Sequence, residues 1–324
     1  MSDSDLIRLR SILAELAPQG RAALLPALHA AQQFHGWLPE AVATEVGRAL
    51  GVPLADVYGV IDFYEMLSRE PLGRTVARVC DAPVCALTGS DDLADALCRH
   101  LKVAPGEVGP DGEFTVEHAP CLGLCDHAPA LLVGEVALAR GNPGRAAEIC
   151  ARQGERPVSF VGGDIRILTG NCGQGHPTTF ADYQSSGGYA GLKKALTMTP
   201  QDVVAELKTA GLVGRGGAAF PTGIKWEGAA KAAGQPKYIV CNADESEPGT
   251  FKDRILMEDD PHRTIEGMII AAHAVGASQG YIYVRGEYPY AFNVMSEAVA
   301  EARQAGVLDK DIFGSGLDFD IEMR

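Results

Sequence analysis

Apolar side chains recur every three or four positions through the first part of the chain, the period of an amphipathic helix, and glycine and proline cut the runs. Leu6 to Leu16 is one run and stops at Ala17-Pro18-Gln19-Gly20. Arg21 to His35 is the next, closed by Gly36. Pro39 stands where a first helical turn accepts proline, and its helix runs to Leu50 before Gly51. A shorter helix from Pro53 reaches Tyr64. Residues 1–72 therefore predict a small helical bundle. His29, His35, Trp37, Tyr58 and Tyr64 lack the spacing of metal ligands and are expected in its core or at an interface.

From Thr75 the rhythm changes to short β-rich runs. Thr75 to Val79 predicts a strand ending at Cys80, and Phe114 to Glu117 predicts a second. Leu131-Leu132-Val133 and Val136-Ala137-Leu138 predict a hairpin about Gly134-Glu135. Ser90 is placed to cap a helix through Leu101, with Asp91 and Asp92 favourable in its first turn. Pro143 to Arg152 predicts a closing helix. This order of elements gives a compact α+β domain over 73–153, of the thioredoxin-like kind.

Residues 154–197 carry Gly162-Gly163, a loop around Cys172 and Ser185-Ser186-Gly187-Gly188, and predict a linker. Thr199 then caps a helix with Pro200 at its first position, running to Ala210 and stopped by Gly211. Strand Tyr238–Val240, helix Thr264–Val275, strand Tyr281–Val284, helix Tyr290–Gln304 and strand Leu317–Met323 follow. That alternation predicts parallel βαβ units, a Rossmann-like α/β domain over 198–324.

Two stretches carry candidate chemistry. In the first, Gly214, Gly216, Gly217 and Gly223 crowd one turn, where each glycine costs roughly 0.5–1 kcal/mol if ordinary backbone would serve. Such a cluster suggests a ligand lying against the main chain, its N–H groups facing an anion, with Lys225 placed to add a point charge. Tyr238-Ile239-Val240 reads as a buried strand that empties into Asn242, Asp244, Glu245 and Glu247, and carboxyl strand ends are where open α/β sheets bind cofactors. Together they favour a nucleotide-type cofactor. In the second, Cys80 and Cys85 form C-x4-C at a strand end, and Cys121 and Cys125 form C-x3-C in CLGLC. Four thiolates in two loop pairs suit an iron–sulfur cluster. Zinc stays open as an alternative, although structural zinc pairs usually sit closer, at C-x2-C. Cys98 and Cys150 fall inside helices and are expected as small packed hydrophobes. Cys172 and His176 are too few for a metal site, and Cys241 receives no role.

Composition narrows the classes. The chain has 324 residues, 46% apolar and 22% charged, enough for two or three domains with real cores. No run approaches a membrane span, and the opening MSDSDLIRLR lacks an apolar signal region, so a cytoplasmic location is expected, with a peripheral place on a membrane complex still open. A net charge of −14 argues against nucleic acid as a partner. Eight cysteines in that setting suggest thiolates kept for metal or redox work and not a disulfide framework.

The same residues carry a resemblance. GRGGAAFPTGIKW (Gly214 to Trp226), CNADESEPGTFKD (Cys241 to Asp253) and YIYVRGEYP (Tyr281 to Pro289) resemble the 51-kDa-type, flavin-bearing subunit of respiratory complex I. They equally resemble its relatives in NAD-linked hydrogenases and formate dehydrogenases. HAAQQFHGWLPE (His29 to Glu40), VYGVIDFYEML (Val57 to Leu67) and CLGLCDHAPALLV (Cys121 to Val133) resemble the 24-kDa-type 2Fe-2S subunit. The resemblance implies a 2Fe-2S cluster on Cys80, Cys85, Cys121 and Cys125, FMN on the glycine loop and NADH stacked above it. Gly214, Gly216, Lys225, Asn242 and Asp244 match the family's FMN contacts. Gly217, Ala218, Phe220 and Glu247 match positions on the NADH side, and Arg215 and Glu245 fall among them in the same cofactor-binding segments. Ala219 departs from the pattern, standing where many members have glycine.

The expected function is an NADH-oxidising input module of a larger oxidoreductase: hydride from NADH to FMN, then single electrons to iron–sulfur clusters of partner subunits. No side chain is expected to act as general acid or base, because the cofactors carry the chemistry. The alternative is a 2Fe-2S electron-carrier or assembly subunit whose flavin half does not turn over alone. In the family the last strand leads into further flavin- and NADH-binding residues, so the flavin domain is expected to be incomplete at its C-terminus. The acidic set at the strand end predicts NADH over NADPH.

Overall fold

A computed structural model describes residues 3–324, which divide into two units, one up to Pro157 and one from Val158. The helical rhythm at the start of the first unit becomes α1 (Asp3–Leu16), α2 (Leu24–His35), α3 (Glu40–Leu50) and α4 (Leu54–Phe63). Their stripes meet in one core: Leu9 and Leu13 from α1, Leu28 from α2, Val42 and Val46 from α3, and Val57 and Ile61 from α4. Tyr58 and Tyr64 pack against this core from its edge. His29 faces solvent, and His35 lies 6.0 Å from Trp37, ring to ring. Glu45 points into the bundle and is held by Arg10 through two bonds of 2.9 Å, with Arg48 at 2.7 Å.

The second half of this unit is a four-stranded sheet in the order β2-β1-β3-β4: β1 (Thr75–Cys80), β2 (Phe114–Ala119), β3 (Leu131–Val133) and β4 (Val136–Leu138). β1 runs parallel to β2 and antiparallel to β3, which turns back on β4 in the expected hairpin. α5 (Pro83–Leu87), α6 (Ser90–Leu101) and α7 (Ala146–Cys150) complete it. Every residue of β1 is buried, as a central strand with two covered faces requires. One face meets Leu93 and Leu97 of α6, with Cys98 packed among them and Cys150 at the margin; the other side carries Cys80, Cys85, Cys121 and Leu122. Ser90 does not cap α6. Gly89, left-handed at φ 93°, turns the chain into the helix, so Ser90 is already a helical residue, fully buried.

In the second unit the expected linker is structured. Thr179 and Asp182 form a reciprocal cap for α8 (Phe180–Ser185), and α9 (Ala190–Leu196) follows. Tyr183, Tyr189 and Leu192 join the unit's main core, because Glu266 accepts from the Tyr183 hydroxyl at 2.5 Å and from the amides of Tyr189 and Leu192 at 3.0 and 2.8 Å. That partner lies more than seventy positions away, beyond any local reading of 154–197. Next come α10 (Pro200–Thr209), capped by Thr199 as expected, and α11 (Thr222–Lys231).

The sheet here is β5 (Tyr238–Ala243), β6 (Gln279–Val284) and β7 (Asp320–Met323), in that order and parallel throughout. α12 (Lys252–Asp259) and α13 (Pro261–Val275) join β5 to β6, and α14 (Pro289–Gln304) joins β6 to β7. Gly280, Ile282 and Val284 face a core with Ile265, Ile269, Met295 and Val299. β5 is an edge strand, not a buried one. Its alternate residues Tyr238 and Val240 are 51% and 63% exposed on the face away from that core. β7 begins at Asp320, since Phe319 first pairs back with Asp309. No helix among the described residues is long and apolar enough to cross a membrane.

Candidate functional site

The four paired cysteines come together in the first unit. β1 delivers Cys80 at its last position, and α5, opened by Pro83, places Cys85 in its first turn. The loop after β2 supplies Cys121, and Cys125 starts the short turn Cys125–His127. Cys80, Cys85 and Cys121 are almost fully buried, Cys125 partly, and none of the four forms a disulfide. The sulfurs form a contiguous string: Cys80 contacts both Cys85 and Cys121, and Cys121 Sγ lies 3.4 Å from Cys125 Sγ. Contact with Cys80, then burial, pushes the Cys121 thiol well above its ordinary pKa. At Cys80 the contact with Cys121 lowers the pKa, but Cys85 and burial outweigh it and the net shift is upward.

The donors around these sulfurs test what they can hold. The Gly123 amide donates to Cys121 Sγ at 3.4 Å, the amides of Leu122 and Ala82 face Cys80, and that of Ala130 faces Cys85. Main-chain N–H groups aimed at sulfur stabilise thiolate charge and tune a bound cluster. Among the described residues no three His, Cys, Asp or Glu side chains converge as a one-ion site does. A 2Fe-2S cluster does not ask for that, since its four thiolates are shared over two irons. The donor set fits such a cluster better than zinc.

The second unit presents the glycine loop. Val213 pairs with Pro221, Gly214 N donates to Phe220 O at 2.9 Å, and Thr222 N to Leu212 O at 2.9 Å, which closes 214–220 as an exposed loop ahead of α11. A Cβ at Gly216 or Gly217 would meet nothing within 4 Å, so the space over them is open to a ligand. Gly217 needs its glycine for another reason, a φ of 98°. Ala219 sits at φ 49°, the left-handed region where glycine is at ease and a side chain is strained. Gly223 serves packing. It is buried, and a Cβ there would come within 2.7 Å of Lys208 Cγ and 2.9 Å of the Lys208 main chain on α10. Arg215 bends back so that Nη1 donates to Val213 O at 2.7 Å. Ala218, Phe220 and Lys225 are exposed, Lys225 in the first turn of α11.

At the carboxyl end of β5, Asn242 is exposed and Asp244 half-buried. The Asn242 side chain accepts from Asp244 N at 3.2 Å, and the Ser246 hydroxyl donates to Asp244. Glu247 is exposed. Glu245 behaves differently. Its carboxylate turns inward and accepts from the amides of Asp253 at 2.7 Å and Arg254 at 2.8 Å, capping α12. What it offers a cofactor is therefore backbone, not an acidic side chain. Lys237, one residue before β5, donates to Ala230 O near the end of α11 and to Val275 O at the end of α13. Trp226 packs on the same core, and α11 lies against α10 and α13. A surface depression of about 490 Å³ on α10, lined by Met198, Asp202, Ala205, Glu206, Thr209 and Ala210, includes none of these residues. Cys241 faces the core, and burial raises its thiol to about 11. Cys172 is buried beside Asp259 and Asp260 and is likewise raised to about 11.

Sequence reasoning noted the stretch Tyr281 to Pro289 for its resemblance but gave Arg285, Glu287 and Tyr288 no role. They follow β6 at the same sheet edge and are all largely buried. The carboxyl-end rule applied to β5 would have found them at β6.

Residues 9–153 match the family model for the thioredoxin-like 2Fe-2S ferredoxin, and residues 207–323 match that for the Nuo51 FMN-binding domain. One match falls in each unit. The alpha subunit of the NAD-reducing hydrogenase HoxS of Cupriavidus necator is 33% identical over 98% of this chain and 54% of its own length. An NADH-quinone oxidoreductase subunit of Rhizobium meliloti is 54% identical over 44% of this chain and 34% of its own. A crystal structure of an NAD+-reducing NiFe-hydrogenase in the air-oxidised state aligns over 93% of this chain and 51% of the matched chain, with TM-score 0.69 and 26% identity. The chain thus spans about half of the hydrogenase subunit and a third of the quinone oxidoreductase subunit. The mixed architecture, a thioredoxin-like 2Fe-2S domain followed by a parallel-sheet flavin domain, agrees with the fold read from the sequence.

Proposed function

We propose that the chain is the electron-input module of a multi-subunit oxidoreductase, taking electrons from NADH through FMN to a 2Fe-2S cluster. The observation that carries the reading is the string of four cysteine sulfurs ringed by main-chain N–H donors, in one chain with an open glycine loop and a polar strand end. Bound FMN supplies two-electron uptake with one-electron release, and the cluster supplies one-electron steps.

The chain's own residues bind and orient. Cys80, Cys85, Cys121 and Cys125 ligate the two irons, and the amides of Ala82, Leu122, Gly123 and Ala130 support charge on their sulfurs. Gly214, Arg215 and Gly216 offer backbone to FMN, Lys225 a positive charge, and Asn242 and Asp244 polar edges. Gly217, Ala218 and Phe220 line the NADH side, where Phe220, 53% exposed, gives a flat apolar surface for a ring. Glu247 brings negative charge near the nucleotide, and Glu245 holds the turn between them. The domain limits of this reading are 1–72, 73–153 and 198–324, with 154–197 joining them. Partners are the further subunits of a complex I-like enzyme, an NAD-linked hydrogenase or a formate dehydrogenase, in the cytoplasm or on the cytoplasmic side of a membrane complex.

Metal and flavin analysis of the native complex tests the reading. One FMN per chain is expected, and two irons per chain fewer in the Cys121→Ala complex than in wild type. Zinc lost in place of iron, or an iron content unchanged by the substitution, overturns the ligand assignment.

A further inference from the structure

The stretch Arg285 to Tyr288 has no part in that reading, yet it sits at the same edge. β5 and β6 run parallel with Ala243 opposite Val284, so Asp244-Glu245 and Arg285 leave the sheet side by side. Arg285 is only 7% exposed, and a buried guanidinium must satisfy its donors on partners. Nε donates to Glu287 at 2.9 Å, and Nη1 donates to the main-chain carbonyl of Glu245 at 3.2 Å. The group also lies 5.3 Å from the Tyr288 ring centroid, and Tyr288 N donates to Arg285 O at 3.1 Å, closing the turn on itself.

The recipient is an unusual residue. Glu245 has φ 49°, a left-handed conformation that a side chain-bearing residue keeps only when its surroundings over-determine it. Its carboxylate is fixed on the amides of α12, and the Tyr288 hydroxyl approaches Oε2 at 3.5 Å. Its carbonyl is fixed by Arg285. Held at both ends, Glu245 determines where its neighbours Asp244, Ser246 and Glu247 point.

We propose that Arg285, itself braced by Glu287 and Tyr288, is a positioning residue for the flavin and nucleotide site. It locks the Glu245 carbonyl and so presents Asp244 and Glu247 to the cofactors. The proposal rests on the function proposed above, which places FMN at this strand end. Lysine cannot replace arginine here, because a point charge on a flexible stem does not span Glu287 and the Glu245 carbonyl as a planar fork does.

The test uses the holoprotein with its co-purifying subunits, stripped of flavin and titrated with FMN by flavin fluorescence, in wild type, Arg285→Lys, and the charge-neutral pair Arg285→Met with Glu287→Gln. Hydrogen exchange of the amides of residues 244–247 is followed in the flavin-free form, with the thermal midpoint as a fold control. Expected are an FMN affinity about tenfold weaker, a raised KM for NADH at nearly constant iron content, and at least tenfold faster exchange at 244–247, with the thermal midpoint unchanged. Wild-type affinity and exchange in both variants overturn the proposal and leave the function standing. Loss of FMN strictly in step with unfolding also overturns it, since Arg285 then serves the fold alone. Wild type that binds no FMN overturns the function and the proposal with it.

Discussion

Ala219 shows how far single residues decide this site. A left-handed alanine costs roughly 1–2 kcal/mol, and glycine in its place gives back part of that through roughly 0.5–1 kcal/mol of extra chain entropy on unfolding. Relief outweighs entropy, so Ala219→Gly is expected to stabilise the second unit by about 0.5 kcal/mol; denaturant unfolding that shows destabilisation would refute the geometry assigned to the loop. Glu247 decides a different question. Exposed at the strand end with Asp244 close by, it opposes a ribose 2′-phosphate, and Glu245 adds no side chain to that field because its carboxylate caps α12. The assembled enzyme is therefore expected to prefer NADH, and Glu247→Gln to narrow the ratio of kcat/KM for NADH over NADPH by about tenfold, the weight of one charge contact near ~1.4 kcal/mol. An unchanged ratio would remove Glu247 from the recognition of the nucleotide. The cysteine pairs, Asn242 and the glycine loop were legible because their chemistry is local in sequence. The inward turn of Glu245 was not, since the amides that draw it in are supplied by residues 253 and 254.

Elements follow the same division. Helices with a strong apolar stripe and a glycine stop, such as α3 before Gly51, could be read directly. α12 could not. Its sequence KDRILMED is too charged to show a stripe, and its cap comes from a loop outside it. β5 read as buried because three apolar residues stand in a row, but an edge strand leaves Tyr238 and Val240 facing outward. α3 also carries a pH-dependent contact. The bond from Arg10 holds the Glu45 carboxyl below its ordinary value of 4.5. A lowered folded pKa means the contact is complete above about that value and is lost as pH falls through the folded pKa. Glu45→Gln is expected to cost about 1 kcal/mol at pH 7, since both arginine partners are more than half exposed, and to cost nothing once the carboxyl is protonated. Unfolding curves for the first unit that differ equally at pH 7 and pH 3 would contradict this.

At the scale of the whole chain, two units with separate cores hold two kinds of cofactor chemistry. The first gathers four thiols that lie in pairs some forty residues apart, because β1 and β2 are parallel neighbours that end together, with Cys80 opposite Ala119. The second carries a glycine loop ahead of α11 and a polar end on β5, and Lys237 ties the last turn of α11 to the start of β5. The gathering of the four thiols is not visible in spacing alone; it follows from strand pairing. The account's central claim is that these sites work in sequence on electrons from NADH. Anaerobic addition of NADH to the native complex, with no mediator, tests it most directly. The account predicts that flavin absorbance falls in proportion to the NADH consumed. It also predicts an S = 1/2 signal of a reduced 2Fe-2S centre that is absent in the Cys121→Ala protein. Flavin that stays oxidised in the presence of excess NADH, with the same cluster signal in wild type and Cys121→Ala, would contradict it.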